Sequence, residues 1–212
     1  MKEKELSPWG NDYKQNAEII HSIACKIQTY TKRVASGITQ EQGEPLLESM
    51  AAVLDLWTGS TYVGNKKEKA LEKAFQSFFK ALYNFIIECR NNDRYFNIKR
   101  SNKILYRGTV YRYLGHSTNS YPDNSIVEPV FNDIYVSWSK SPKGSYIESK
   151  LRYPQTWLSA EIKEPYYGID LVGLQEAILE LVNVKNRIAI DDEREVVFPT
   201  IKECITEIKY IR

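Results

Sequence analysis

Three short motifs combine charged or hydroxyl side chains with strand-forming residues. The first is Leu-Tyr-Arg-Gly at residues 105–108, in which Arg107 follows an apolar run and precedes Gly108. A guanidinium group matches the oxygens of a phosphate, and a glycine lets backbone approach a ligand closely. The motif therefore indicates a phosphate-binding arginine at the end of a strand. The alternative is a strand-end arginine in a surface salt bridge.

The second motif is Val-Ser-Trp-Ser at residues 136–139. Because side chains alternate along a strand, both serine hydroxyls are expected on one face and Trp138 on the other. Two hydroxyls on an otherwise apolar strand suit the orientation of a carboxylate or a ribose. The alternative is a half-exposed strand whose Trp138 packs in the core.

The third motif lies at residues 191–199 and reads Asp-Asp-Glu-Arg-Glu-Val-Val-Phe-Pro. Strand alternation predicts that Glu193 and Glu195 share one face. Two carboxylates so close repel each other when both are ionised, so local geometry or a cationic ligand must favour the arrangement. The alternative is an acidic loop that leads into an edge strand ended by Pro199.

The first half of the chain reads as three amphipathic helices. The second is expected to begin near Pro45 and to end at Gly59, because proline suits a first helical turn and glycine a helix end. Apolar residues recur at three- and four-residue steps, which is typical of a helix with one buried side. The stripes are Ile20, Ile23, Ile27, Tyr30 and Val34; then Leu46, Leu47, Met50, Val53, Leu54 and Trp57; then Leu71, Phe75, Phe78, Phe79, Leu82, Phe85 and Ile86.

The second half changes to short β-branched or aromatic runs separated by turn residues. One helix, Leu174–Val182, interrupts the strands, and Gly115–Pro129 is expected to be a loop. The predicted fold is α+β, with a helical layer followed by a mostly antiparallel two-sheet core. We expect a single domain over residues 1–212, mainly helical in 1–100 and mainly β in 101–212. The strand-like runs are 104–106, 134–136, 157–162, 196–198 and 205–211.

Composition sets limits on the class of protein. The chain has 212 residues, 42% hydrophobic and 26% charged, which suits one globular core. The net charge is +2, so no long-range field favours nucleic acid or an anionic membrane. Cys25, Cys89 and Cys204 are predicted to be buried free thiols in a reducing compartment, with no metal site. The start lacks a secretory signal, and no apolar run is long enough to span a bilayer. Synthesis in a cytoplasm is expected, and delivery into another cell by a signal-independent route stays open.

The order Arg, Ser-x-Ser, Glu-x-Glu resembles the Arg–Ser–Glu class of ADP-ribosyltransferases, which includes bacterial toxins. The resemblance covers roughly Trp57 to the C-terminus. Residues 56–62 are similar to the class's Tyr-Thr-Gly-x-x-Tyr segment, and residues 195–199 to its Glu-Val-Leu-Phe-Pro. Three features depart from the class. Trp138 replaces the usual threonine, a helix is inserted at Leu174–Val182, and residues 62–65 match only loosely, which leaves the role of Tyr62 open.

The resemblance implies an enzyme that cleaves NAD⁺, its co-substrate, and transfers ADP-ribose to a macromolecule. Glu195 would be the catalytic carboxylate and would also bind the nicotinamide-side ribose. Ser137 would orient Glu195, and Arg107 would bind the NAD⁺ diphosphate. Glu193 would position the acceptor, which the Glu-x-Glu pattern suggests is protein arginine. The resemblance adds as cofactor-binding residues Gly108 through its backbone, Ser139, Tyr62, and Arg152 and Tyr153 in the phosphate–nicotinamide loop.

Other functions stay open at this point. A nucleic acid is an alternative acceptor, because aromatic and basic residues alternate between positions 99 and 113. An inactive NAD-binding interaction module and a plain NAD⁺ glycohydrolase are two more. A toxin, a phage-encoded modifier and a regulator would read alike, and an active toxin would need an inhibitor or antitoxin partner. The residues of the alternating segment are Lys99, Arg100, Lys103, Tyr111, Arg112 and Tyr113.

Overall fold

The computed structural model describes residues 18–25, 45–59, 65–90, 95–115, 128–142, 155–181 and 194–211. The chain divides into two compact units. The first comprises Met1–Ile104 with Gly173–Ala189, and the second comprises Leu105–Val172 with Ile190–Arg212. The described residues of the first unit are mainly helical, and the second unit holds the strands, which confirms the α+β class. That the two units fold as a single domain stays a prediction.

The helices of the first unit follow the predicted apolar stripes. Helix α1 covers residues 18–25, and the later part of its predicted stripe lies outside the described residues. Helices α2 (Pro45–Gly59) and α3 (Asn65–Cys89) are confirmed, and α2 begins and ends at the predicted proline and glycine. The phenylalanines of α3 are buried, and Trp57 makes edge-to-face contacts with two of them, Phe75 and Phe79.

Two helical segments differ from the prediction. Helix α4 (Ile98–Ile104) takes up residues expected to be polar coil and the start of a strand. It begins after Asn97, whose side-chain oxygen accepts the backbone N–H of Arg100 at 3.0 Å, as an N-cap does. Helix α5 (Leu171–Leu179) begins three residues earlier than expected. Its cap is Asp170, whose carboxylate accepts the N–H of Val172 at 3.1 Å.

The seven described strands form one antiparallel sheet in the order β1-β5-β6-β3-β2-β4-β7. Strands β2 and β5 were not predicted. The two-sheet core is also corrected. The four strands β1, β5, β6 and β3 are joined to β2, β4 and β7 through the pair Tyr111↔Ser139. The strands are β1 (Leu105–Tyr106), β2 (Gly108–Gly115), β3 (Tyr135–Ser139), β4 (Gln155–Ile162), β5 (Gly168–Asp170), β6 (Glu195–Pro199) and β7 (Ile205–Ile211).

The sheet curls strongly, because β1 and β2 are separated in the chain by Arg107 alone. In the strand order, β5, β6 and β3 lie between them. A flat sheet would place β1 and β2 roughly 19 Å apart, whereas two residues of chain span about 7 Å. Gly108 makes the corner. Its φ of 138° disfavours any other residue, and an added Cβ would lie 2.8 Å from the hydroxyl oxygen of Tyr106.

The curl gives the sheet an inner and an outer face. The inner face is the one that carries Trp138, and it packs around an apolar cluster drawn from β2, β3, β4, β6 and the 3-10 turn Lys202–Cys204. The outer face carries the side chains that alternate with these along each strand. The inner cluster consists of Val110, Trp138, Leu158, Ala160, Ile162, Val196, Phe198 and Cys204.

None of the three cysteines, all of which are described, forms a disulfide, and they do not share one environment. Cys89 and Cys204 are buried as predicted, and burial raises the pKa of the Cys89 thiol to about 12. The prediction was wrong for Cys25, which is exposed and lies on α1. Its sulfur is 3.9 Å from the Nε2 atom of His21, one helical turn earlier. An exposed position on a helix follows from where the apolar stripe lies, since Cys25 is outside it.

Candidate functional site

The serine motif lies on β3 with the predicted alternation. Trp138 points into the inner cluster, is 1% exposed, and donates its indole N–H to the carbonyl of Phe198 at 2.9 Å. Ser137 and Ser139 therefore lie on the outer face. Ser139 is buried, and its hydroxyl oxygen accepts the backbone N–H of Ser141 at 3.1 Å. The interpretation of Trp138 as a core residue and the shared face of the two hydroxyls are both confirmed.

Glu195 is the first residue of β6 and lies directly opposite Ser139. Its side chain is on the outer face with both serines, yet Glu195 is only 4% exposed. Ser137 is paired with Val197, so it is a diagonal neighbour of Glu195. Opposite residues have Cβ atoms about 5 Å apart and diagonal ones about 7 Å. The sequence predicted that Ser137 orients Glu195, whereas the strand register places Ser139 closer to Glu195 than Ser137 is.

The chain enters β6 through a constrained residue. Arg194 has a positive φ of 45°, and its carbonyl accepts the N–H of Lys140 at 3.2 Å. The ammonium of Lys140 makes a close ion pair with Asp170. Arg194 is therefore not in extended conformation, and the described strand begins at Glu195. Glu193 itself lies outside the described residues.

Arg107 lies at the corner between β1 and β2. Its guanidinium lies over the ring of Tyr167, 3.9 Å from the ring centre. Its Nε donates to the carbonyl of Tyr166 at 3.3 Å, and its Nη1 is 3.7 Å from the carboxylate of Glu164. Glu164 has 83% of its side chain exposed, so this ion pair is weak. Contact with the ring restricts the guanidinium, whose forked N–H groups suit an anion.

Arg107 does not contact the serines or Glu195. Strand β1 is separated from β6 by β5 and from β3 by β5 and β6. Arg107 also precedes β2, where Gly108 lies three residues before Tyr111, the residue opposite Ser139, so Arg107 is on the order of 10 Å or more from the serine patch along the strand. Of the three predicted catalytic residues, the structure brings Ser137 and Glu195 together, and Ser139 lies beside them. Arg107 lies at a distance that a ligand would have to span.

Arg112 is a residue of this region that the motifs missed. Its guanidinium donates to the carbonyl oxygen of Ser137 at 2.7 Å. Burial lowers the pKa of Arg112, and the negative charge of Glu195 acts in the opposite direction. Arg112 lies two residues from both Val110 and Leu114 along β2, so it has the same inner-face register as these apolar residues. If β2 had been recognised as a strand in the sequence, an arginine among its inward-facing apolar residues would have singled out Arg112.

The basic segment predicted as an alternative nucleic-acid surface is not one solvated face. Arg112 is directed to Ser137. Arg100 and Lys103 lie within 3.1 Å and 2.8 Å of the carboxylate of Glu180, and these contacts raise the pKa of Lys103. Tyr111 and Tyr113 lie on the outer face of β2, since Tyr111 is paired with Ser139. Paired cations are less available to phosphate, although an acceptor of this class stays untested.

Four of the predicted site residues lie outside the described residues: Tyr62, Arg152, Tyr153 and Glu193. Gly108 is described, and its glycine identity is explained by its positive φ and the nearby Tyr106 hydroxyl. Its predicted backbone contact with nicotinamide therefore stays a prediction.

Among the described residues, no three or more His, Cys, Asp or Glu side chains are grouped so that they could hold a metal ion. None of the helices within those ranges is both long and apolar enough to cross a membrane.

Comparison with known proteins gave no match to a family model, to a curated protein or to a solved structure.

Proposed function

We propose that the chain is an ADP-ribosyltransferase of the Arg–Ser–Glu class, which cleaves NAD⁺ and transfers ADP-ribose to a protein arginine. One observation supports this most. Glu195 is buried at 4% exposure and lies opposite Ser139, with Ser137 on the same face. The sequence motifs that suggested the class are far apart in the chain. Their hydroxyls and carboxylate share one small patch of the outer face.

The proposed chemistry begins at the bond between nicotinamide and C1′ of its ribose. This bond breaks with both electrons leaving on nicotinamide, and the ribose acquires oxocarbenium character, as in glycoside cleavage. A carboxylate fixed beside C1′ stabilises the developing positive charge. Burial of Glu195 strengthens that interaction, because charges attract more strongly where water is excluded. The neighbouring serine hydroxyls hold the carboxylate in one orientation.

Arg107 supplies the anion-binding function in this proposal. The Tyr167 ring holds the guanidinium at 3.9 Å, and a diphosphate would replace the exposed Glu164 as its partner. Exchange of a weak exposed ion pair for a charge-assisted bidentate one favours the ligand. The separation of Arg107 from Glu195 suits a substrate whose diphosphate and reacting carbon are different parts of one molecule.

Transfer is completed when a nitrogen of the acceptor guanidine forms a bond to C1′ and loses a proton. Glu193 is the candidate to position that guanidine and to take the proton. A carboxylate can hold a guanidinium through two parallel hydrogen bonds. The same step with water as nucleophile would give free ADP-ribose, which is the glycohydrolase alternative.

The test is incubation with labelled NAD⁺ and a cell lysate, with wild type compared with Glu195→Gln. This substitution keeps the side-chain shape, and nicotinamide release is expected to fall roughly 10²–10³-fold. Glu203→Gln is the matched control, because Glu203 is exposed and lies on the 3-10 turn Lys202–Cys204. Protein-bound label that hydroxylamine releases would support arginine as the acceptor.

Other results would overturn parts of the proposal. Nuclease-sensitive label would move the acceptor to nucleic acid. Free ADP-ribose in large excess over bound label would indicate a glycohydrolase. Folded wild-type protein that releases no nicotinamide would leave the inactive NAD-binding module.

A further inference from the structure

An aromatic strip lies on the outer face beside the patch that holds Glu195. We define the aromatic strip as Tyr111, Tyr113 and Trp157. The rings of Tyr111 and Trp157 stack with centres 5.6 Å apart and an angle of 28°. Tyr113 meets Trp157 edge-on, with ring centres 6.4 Å apart. All three side chains are partly exposed, so the strip is a surface on which a ligand can pack.

The strip is aligned with the catalytic residues by the register of the sheet. Glu195 is opposite Ser139, Ser139 is opposite Tyr111, and Tyr111 is opposite Ser159. These four residues form one row across β6, β3, β2 and β4. Two strand spacings of about 4.8 Å put the Tyr111 backbone on the order of 10 Å from that of Glu195. A segment lying on the strip would thus reach Glu195 with one extended side chain.

The charges around the strip are mainly negative. Glu161 faces outward beside Thr109, whose hydroxyl is 2.7 Å from the carboxylate. Glu207 is opposite Ser159 at the other border. Among the described outward-facing residues of β2, β4 and β7, Lys209 supplies the positive charge, and its ammonium is 2.8 Å from Glu207. Since Lys209 balances Glu207, the carboxylate of Glu161 is the charge in excess, and it repels phosphates and attracts cationic side chains.

The strip already holds a cation against its central ring. The ammonium of Lys209 lies 4.7 Å from the ring centre of Trp157. Electron-rich rings attract cations, and arginine uses this contact more often than lysine. Partly exposed rings with carboxylates at the border therefore fit a peptide that carries guanidinium groups better than they fit a polyanion.

We propose that the aromatic strip, with Glu161 and Glu207, docks a basic, arginine-containing segment of the acceptor protein. The inference rests on the proposed function and adds the place where the acceptor binds. The cations that flank the target arginine stack on Trp157 and Tyr111 and pair with the two carboxylates. The target arginine itself extends along the row toward Glu195.

The experiment compares two acceptors, the small guanidine agmatine and a peptide with one central arginine flanked by lysines. Trp157→Leu is expected to raise the KM of the peptide about tenfold, as loss of a cation–π contact and its packing predicts. The KM of agmatine, the KM of NAD⁺ and nicotinamide release without acceptor should be unchanged. Trp157→Phe keeps a ring and should restore most of the peptide affinity.

Two further variants separate the strip from general surface effects. The double variant Glu161→Gln, Glu207→Gln should raise the peptide KM and flatten its dependence on salt. Tyr210→Leu is the matched control for Trp157→Leu, because Tyr210 is an exposed aromatic residue on the neighbouring strand β7 but on the opposite face of the sheet. It should leave the peptide KM unchanged.

Each remaining outcome overturns one idea. An unchanged peptide KM in folded Trp157→Leu refutes the dock, and an equal rise for agmatine assigns the strip to small-substrate binding instead. Inhibition by a single-stranded oligonucleotide that Trp157→Leu abolishes makes the partner a nucleic acid. If wild type releases no nicotinamide, the proposed function fails. Calorimetric binding of the peptide to wild type and Trp157→Leu then still decides whether the strip docks it.

Discussion

On one side of β3, residues Tyr135–Ser139 pair along their whole length with β6, whereas on the other side the described pairing with β2 is Tyr111↔Ser139. We call the β6 side of β3 the paired flank and the β2 side the split flank. The paired flank holds Glu195 opposite Ser139 in fixed register. On the split flank, the guanidinium of Arg112 donates to the Ser137 carbonyl at 2.7 Å. Buried backbone groups need partners, so a side chain serves where a neighbouring strand does not.

The difference teaches how one strand combines rigidity with access. A complete ladder fixes the carboxylate and the hydroxyls relative to one another, which preorganised catalysis requires. The interrupted hydrogen-bond ladder between β3 and β2 leaves β2 free to diverge from β3. The aromatic strip then starts at Tyr111, directly opposite Ser139. We therefore expect substitutions on the split flank to alter activity by displacing the site residues. Substitutions on the paired flank should alter the chemical step itself.

The largest expected effect on the split flank comes from Arg112→Met, which removes the donor to Ser137 and keeps the length of the side chain. Nicotinamide release should fall roughly 100-fold, since a displacement of about 1 Å in a site costs that much. In a Ser137→Ala background the same substitution should have little further effect, because the position of an absent hydroxyl no longer matters. Steady-state rates of the four proteins test this. Additive losses would show that Arg112 acts independently of Ser137.

A second prediction concerns the corner where the split strand begins. Gly108→Ala forces a side chain onto a backbone with φ of 138° and onto the Tyr106 hydroxyl 2.8 Å away. The free energy of unfolding should fall by about 2 kcal/mol. The same change made in a Tyr106→Phe background should cost less, because the hydroxyl is gone and the strained φ remains. Urea titration of both pairs measures this, and equal costs would exclude the steric contribution.

The smallest expected effect lies beyond the paired flank, where Tyr167 supports Arg107. Tyr167→Leu removes the ring 3.9 Å from the guanidinium. The KM of NAD⁺ should rise about two- to fivefold with kcat little changed, as expected for an exposed cation–π contact. Tyr167→Phe keeps the ring and serves as the control. A fall in kcat at constant KM would place Arg107 in the chemical step and would contradict its role as an anion-binding residue.

Much of the fold was predictable because its signals are local. The helices α2 and α3 and the strands β3, β4, β6 and β7 follow apolar periodicity, which depends on residues a few positions apart. The short strand β5 (Gly168–Asp170) was missed, because three residues carry almost no periodicity. Helix α4 was missed because its cap, Asn97, lies in a polar stretch that reads equally well as coil.

The candidate site, like the fold, was predictable where its signals are local. Alternation alone places Ser137 and Ser139 on the face opposite Trp138, and the structure has them there. The shared face of Glu193 and Glu195 stays a prediction, because Glu193 lies outside the described residues, whereas the positive φ of Arg194 was not predicted. A positive φ at a residue other than glycine has no reliable sequence signal.

By itself, the sequence determined the helices α2 and α3 and the face of β3 that carries hydroxyls, and it nominated the candidate site residues. These are properties of short segments, fixed by periodicity and residue type. Only the tertiary structure decided that Ser139 is the residue opposite Glu195, that Arg112 turns inward to Ser137, and that Tyr111 extends the row. Strand order and register depend on partners far apart in the chain, and the choice among them is made by packing around a shared core.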